Sequence, residues 1–134
     1  MAGYSGTPLI KKLGVKPGTS VYVIDPPPRY FDWLSPLPDD VLVYEALRSN
    51  LDFIHVFVTE RKVFEKTFLK CARHLRKDGM IWISWPKKSS GVPSDLDENV
   101  IRDFGLKNGL VDVKVCAVDE VWSGLKFVYR LKDR

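Results

Sequence analysis

A chain of 134 residues that is 45% hydrophobic is long enough to bury a core, and no stretch of it has the composition of a linker, so we expect a single domain over residues 1–134. The formal net charge of +4, from 21 basic and 17 acidic residues that are mostly interspersed, permits an anionic partner without requiring one. No apolar run approaches the roughly 20 residues of a membrane span, and the first residues lack the pattern of a signal peptide, so the expected location is cytoplasmic.

Two cysteines are too few for a disulfide scaffold, and their spacing is not that of a zinc site. Cys71 falls on the apolar stripe of a predicted helix and Cys116 in a predicted strand. Both are expected to be free thiols that pack like small apolar residues. The sequence therefore predicts no metal.

The first third of the chain predicts a short helix, a buried strand and a rigid loop. Thr7 and Pro8 begin a helix that ends at Gly14, and residues 21–24 form an apolar strand that ends at Asp25. Three prolines follow and prevent the strand from continuing. Residues 29–34 can form a helical turn. Residues 41–44 predict a short strand, although residues 40–47 are equally compatible with a helix.

The middle of the chain predicts a right-handed βαβ unit. Residues 53–58 form a nearly continuous apolar run, and an amphipathic helix follows, with Thr59 as its expected cap. Asp78 and Gly79 are expected to end that helix with a left-handed glycine. A second buried strand, within residues 79–86, leads into the cationic loop Lys87-Lys88-Ser89-Ser90.

The last third predicts a second helix and a terminal antiparallel hairpin. Ser94, with Asp97 and Glu98, resembles a capping box, and the helix should end near Asn108-Gly109. Alternating apolar residues then predict strands over 111–117 and 125–131, joined by residues 119–124. The whole order indicates a three-layer α/β fold with a mostly parallel, Rossmann-like sheet and a C-terminal antiparallel hairpin.

From about Asp52 to Arg134, this order of elements resembles the C-terminal half of a class I S-adenosylmethionine-dependent methyltransferase. The resemblance implies a methyltransferase-like fold. In that family a glycine-rich loop after the first strand holds the cofactor, whereas Asp25-Pro26-Pro27-Pro28 occupies this position here, and the chain has no Gly-x-Gly. Prolines lack the backbone donor and the flexibility of such a loop, so no cofactor is expected.

More specifically, the whole chain is similar to a family of small bacterial proteins known only as a domain of unknown function, as seen in the segments Gly3-Tyr4-Ser5-Gly6-Thr7-Pro8-Leu9 and Trp82-Ile83-Ser84-Trp85-Pro86-Lys87-Lys88. A third similar segment runs from Val113 to Leu125. This resemblance implies no activity.

Candidate ligand-binding residues lie in loops expected at the carboxyl edge of the sheet, where open α/β sheets bind ligands. They are Asp25, Arg29, Glu60, Arg61, Trp85, Lys87, Lys88, Ser89 and Ser90. The lysines, hydroxyls and loop amides could hold a small carboxylate or phosphate, and the alternative is a solvated surface loop. Residues 25–30 also partly match the Asp-Pro-Pro-Tyr motif of amino-group methyltransferases, but Tyr30 is displaced by two positions, and a proline-terminated strand with aromatic residues packed beneath it explains the pattern better.

No histidine has an evident catalytic partner in the sequence: His55 lies inside a buried strand and His74 at a helix end. We therefore interpret the chain as a non-catalytic binding or protein-interaction module that does not bind S-adenosylmethionine. The alternatives are a small enzyme acting on an anionic molecule at the carboxyl edge, and a weak, salt-sensitive nucleic-acid-binding protein, which would need basic side chains gathered on one face.

Overall fold

The computed structural model describes residues 7–134. It contains one six-stranded sheet in the order β2-β1-β3-β4-β6-β5. The strands are β1 (Ser20–Ile24), β2 (Leu42–Tyr44), β3 (Leu51–Phe57), β4 (Leu75–Pro86), β5 (Leu110–Ala117) and β6 (Trp122–Tyr129), and the α-helices are α1 (Leu9–Leu13), α2 (Tyr30–Leu34), α3 (Arg61–His74) and α4 (Glu98–Lys107). Strands β2, β1, β3 and β4 are parallel, whereas β6 pairs antiparallel with both β4 and β5. The predicted Rossmann-like sheet with a terminal hairpin is confirmed.

Helices cover both faces of this sheet and produce two apolar clusters. On one face α3 and α4 pack against the sheet through Phe64, Phe68 and Ile101, which are fully buried. On the other face Leu9 and Leu13 of α1 and residues of α2 pack over β3 and β4. The Trp82 indole N–H donates to the Leu13 carbonyl at 2.9 Å and so ties α1 to the centre of the sheet. Within residues 7–134 no helix is long and apolar enough to cross a membrane.

Several predicted boundaries are correct. Residues 42–44 form a strand rather than a helix, and it pairs in parallel with β1. Gly14 is left-handed (φ 79°) at the end of α1, although the helix begins at Leu9 with Pro8 as its cap. Cys71 and Cys116 are free.

The predicted start of the last strand is wrong. The connection between β5 and β6 is shorter than expected, because residues 122–124 already belong to β6.

The predicted end of α3 is wrong, for a reason that involves distant residues. The helix ends at His74, and residues 75–79 are extended. Gly79 is not left-handed. A Cβ on Gly79 would lie 2.9 Å from the Asp52 carbonyl oxygen and 3.1 Å from that of Leu51. Glycine is therefore needed here because β3 and β4 approach closely, and not to stop a helix.

The predicted helix starts are each displaced. α3 is preceded by Glu60 rather than Thr59, and neither side chain caps it. The Arg61 N–H donates instead to Asp95 Oδ1 at 2.7 Å, from the loop before α4. In α4 the cap is Asp97, which accepts from the Val100 N–H at 2.8 Å. The predicted cap Ser94 binds the Thr59 carbonyl at 2.6 Å, and this bond joins the same two loops.

Candidate functional site

A pocket of about 320 Å³ opens at the carboxyl edge of the parallel strands. The chain segments that follow β1 and β3 meet there with the first turn of α3 and the start of β6. We call it the carboxyl-edge pocket; its lining residues are Asp25, Phe57, Val58, Thr59, Glu60, Val63 and Trp122. Both ionisable residues in this lining are acidic and exposed.

Asp25 occupies a position that few residues adopt. Its φ is 52°, in the left-handed region, at the junction between β1 and the three prolines. Aspartate tolerates this conformation better than most non-glycine residues because its short polar side chain can bond locally. The turn directs the chain away from the sheet and leaves Asp25 at the pocket wall, while the prolines that follow supply no backbone N–H donors.

The wall on the α3 side is held by hydrogen bonds between two loops. Ser94 Oγ donates to the Thr59 carbonyl at 2.6 Å, and Asp95 accepts from the Arg61 N–H at 2.7 Å. These bonds fix the backbone on both sides of Glu60. They also occupy one of the amides at the helix start that could otherwise bind an anion.

The apolar part of the pocket is aromatic. Phe57 and Trp122 meet edge to face, with ring centroids 5.1 Å apart. Beneath them, the His55 ring stacks on Phe57 at 4.3 Å. Trp122 is half-buried and packs on the sheet.

The structure brings only two of the predicted site residues, Asp25 and Glu60, into the pocket lining. Arg29 is exposed and lies 3.6 Å from Asp32, and the Arg61 side chain bonds to Glu65 at 3.4 Å. Trp85 is a core residue, 7% exposed, in the cluster under α3 and α4.

The cationic loop is a separate surface. Lys88–Ser90 form a short 3-10 helix, and the Lys87 N–H donates to the Val121 carbonyl at 2.7 Å. Ser90 Oγ donates to the Lys87 carbonyl at 2.6 Å, and Ser89 is exposed. None of these four residues lines the carboxyl-edge pocket, so it lacks the positive charge expected from the sequence.

Three buried polar side chains joined by hydrogen bonds lie below the pocket, and they were not predicted from the sequence. Tyr30 Oη lies 2.8 Å from His55 Nδ1, and His55 Nε2 lies 2.7 Å from Ser84 Oγ. All three residues are fully buried, and burial lowers the pKa of His55 to about 3 and raises that of Tyr30. The sequence showed no catalytic partner for His55, and it did not reveal these two hydrogen-bond partners. Polar residues inside two apolar strand runs were the available signal, since buried polar groups require partners.

Within residues 7–134, no group of three or more His, Cys, Asp or Glu side chains is placed to hold a metal ion.

The fold is similar to that of S-adenosylmethionine-dependent methyltransferases of known structure. A methyltransferase from Aquifex aeolicus superposes with a TM-score of 0.62 at 16% identity, covering 89% of this chain and 86% of that one. Magnesium protoporphyrin IX methyltransferase from Synechocystis PCC 6803, with bound S-adenosylmethionine, gives 0.62 at 9% identity over 91% and 74%. Precorrin-6y C5,15-methyltransferase from Geobacter metallireducens GS-15 gives 0.57 at 11% identity over 91% and 86%.

No protein-family profile matches the sequence. No curated protein sequence matches it either. The structural similarities thus identify a methyltransferase-like fold, and the resemblance to a small bacterial family stays a prediction.

Proposed function

We propose that this protein is a non-catalytic binding module that does not bind S-adenosylmethionine and that holds a basic side chain of a protein partner in the carboxyl-edge pocket. The observation that carries the proposal is the lining of that pocket, which combines Asp25 and Glu60 with the aromatic rings of Phe57 and Trp122.

This lining suits an organic cation. Two carboxylates attract a guanidinium or ammonium group, and the half-buried ring of Trp122 can add a cation–π attraction. A volume of about 320 Å³ can accommodate the end of an arginine or lysine side chain. The proposal therefore replaces the anion expected from the sequence with a cation at this pocket.

The segment after β1 does not fit the cofactor of the similar structures. Pro26, Pro27 and Pro28 offer no N–H groups to a ligand, and Asp25 already takes up the left-handed turn. A glycine-rich loop would allow the backbone to approach the cofactor, whereas proline rings obstruct that approach. These features support a chain that does not bind S-adenosylmethionine.

The non-catalytic interpretation is supported by the burial of the best nucleophile–base pair. His55 and Ser84 are at hydrogen-bonding distance, as in a serine nucleophile and its base. Both are 0% exposed, however, and neither lines the carboxyl-edge pocket. Phe57, whose ring stacks on His55, lines the pocket instead.

Calorimetry with capped amino acids tests the proposal. N-acetyl-arginine and N-acetyl-lysine methylamides should bind, whereas the uncharged glutamine derivative should not. Asp25→Asn and Glu60→Gln should each weaken binding about tenfold, the usual effect of losing a charged hydrogen-bond partner. Asn also tolerates the left-handed conformation, so Asp25→Asn should keep the turn.

The control is Asp39→Asn, an exposed acidic residue outside the pocket lining, which should leave binding unchanged. Equal binding of the glutamine derivative would contradict the cation site. Micromolar affinity for S-adenosylmethionine or its demethylated product would contradict the loss of the cofactor.

A further inference from the structure

Lysines that are far apart in the sequence come together on the face of the sheet that α1 covers. A groove of about 360 Å³ between α1 and β5 is lined by Thr7, Lys11, Lys12, Lys114, Val115, Cys116 and Ala117. The Lys114 ammonium donates to the Lys12 carbonyl at 3.0 Å. Lys126 of β6 lies alongside, with its ammonium 4.0 Å from the point that a Cβ on Gly14 would occupy. We call this the lysine groove.

A β-bulge places Lys114, which lines the lysine groove, directly across from Lys126 beside it. Asp112 pairs with Phe127, and the next paired residues are Lys114 and Lys126, so Val113 is an extra residue in β5. In a regular ladder Val113 would be opposite Lys126, and Lys114 would point to the other face. The bulge turns Lys114 onto the α1 side, directly across from Lys126. Bulges commonly re-aim a side chain in this way.

This arrangement costs stability, because like charges directly opposite each other on neighbouring strands repel. The pKa of Lys126 is lowered, mainly by burial and further by the positive charges of Lys114 and Lys16. Of the lining residues that the described part of the chain contributes, none is acidic. Among residues 7–134, the ion pairs found all involve arginine, and none includes Lys114 or Lys126.

Structural roles explain only part of the cluster. A lysine on an edge strand such as β5 prevents unwanted strand pairing, but Lys126 lies on an inner strand. Lys114 also binds a carbonyl at the end of α1, which uses one of its three N–H donors. Its other two N–H donors could bind an anionic ligand, and such a ligand would offset the repulsion between Lys114 and Lys126.

We propose that the lysine groove binds a chain of linked phosphates, either free or as part of a nucleotide. Lys11, Lys12 and Lys114 line the groove and Lys126 lies beside it, and this concentration of positive charge matches several closely spaced negative charges better than a single phosphate. Thr7 is also part of the lining, and within residues 7–134 the lining includes no aromatic ring on which a base could stack. Recognition should therefore depend on the phosphates and not on the base. The lysine groove and the carboxyl-edge pocket have opposite charge and share no lining residue.

The test is calorimetry at low ionic strength with tripolyphosphate, ATP, AMP and orthophosphate, and with a short RNA duplex. Tripolyphosphate and ATP should bind with similar affinity and 1:1 stoichiometry, and AMP and orthophosphate at least about tenfold more weakly. Lys114→Gln and Lys126→Gln should each weaken tripolyphosphate binding about tenfold. Lys66→Gln, an exposed position on α3, is the charge-matched control and should have no effect.

Thermal unfolding separates lost binding from lost folding. Lys126→Gln removes one of two like charges, so its melting temperature should not fall below that of the wild type. If tripolyphosphate binding survives both substitutions, or if the duplex binds and tripolyphosphate does not, the proposed site is wrong. Failure of the cation test at the carboxyl-edge pocket would not affect this result, because the two sites use different residues.

Discussion

The protonation of His55 has a consequence that reaches the whole protein. Burial lowers its pKa from the ordinary 6.5 to about 3, and the neutral ring bonds to Tyr30 and Ser84. Below pH 6.5 the unfolded chain binds a proton that the folded chain does not. The free energy of unfolding should therefore fall as the pH decreases from 6.5 towards 3, by up to about 1.4 kcal/mol per pH unit.

Urea unfolding at pH 7 and pH 5 should show this effect. Between these two pH values the free energy of unfolding should fall by roughly 2 kcal/mol more in the wild type than in His55→Gln, in which the titrating ring is absent. His74→Gln at the end of α3 is the control and should lose as much as the wild type. Equal pH dependence in His55→Gln and the wild type would show that His55 accepts a proton in the folded state.

At the scale of elements, α4 depends on a glycine in its interior. Gly105 is buried, and a Cβ there would overlap the ring of Phe127 on β6. Gly105→Ala gains helix propensity of about 1 kcal/mol. The overlap should outweigh that gain and lower the free energy of unfolding by about 1–3 kcal/mol.

Denaturant unfolding of a double-mutant cycle tests this explanation. Combining Gly105→Ala with Phe127→Leu should cost less than the sum of the two single changes, because the smaller side chain makes room for the methyl group. Leu106→Ala, at an exposed neighbouring position, should have little effect. Strict additivity in the cycle would mean that the glycine serves some purpose other than close packing.

The start of α3 depends on an acceptor 34 residues away in the chain. Asp95→Ala leaves the Arg61 N–H without its partner and should lower the free energy of unfolding by about 1 kcal/mol. Because the same loop contact positions Glu60, binding of a cation at the carboxyl-edge pocket should also weaken. Asp39→Ala, in an exposed loop, serves as the control for stability, and an equal loss in that variant would argue against a specific cap.

At the scale of the whole molecule, local sequence patterns were enough to predict the sheet but not its exact edges. Apolar runs predicted β3 and β4, and alternation predicted the hairpin, because these patterns follow directly from which faces are buried. The role of Gly79 could not be read locally, since it depends on carbonyl groups of β3. Neither could the cap of α3, which comes from the loop before α4.

The candidate site was predictable only as a location. Parallel strands place their following loops at one edge, and this was enough to bring Asp25 near Glu60. Which side chains face the pocket depends on strand alternation and loop bonds: Trp85 points into the core under α3, and Lys87 is held at Val121. The lysine groove could not be predicted from the sequence, because it depends on a bulge and on the position of α1, neither of which has a local sequence pattern.

The two apolar clusters lie on opposite faces of the same strands, so the protein should unfold as one unit. Leu13 belongs to the cluster under α1, and Leu125 to the cluster under α3 and α4; both are 0% exposed. Replacing either by alanine should lower the free energy of unfolding by about 2–5 kcal/mol. Because β3 and β4 contribute to both clusters, loss of one face removes support from the other.

Far-UV and near-UV circular dichroism should therefore give coincident urea transitions in the wild type and in both variants. Leu131→Ala, at an 80% exposed position, is the control and should leave the midpoint unchanged. A separate early transition in Leu13→Ala, with the signal of the other face intact, would show that α1 and its cluster fold independently.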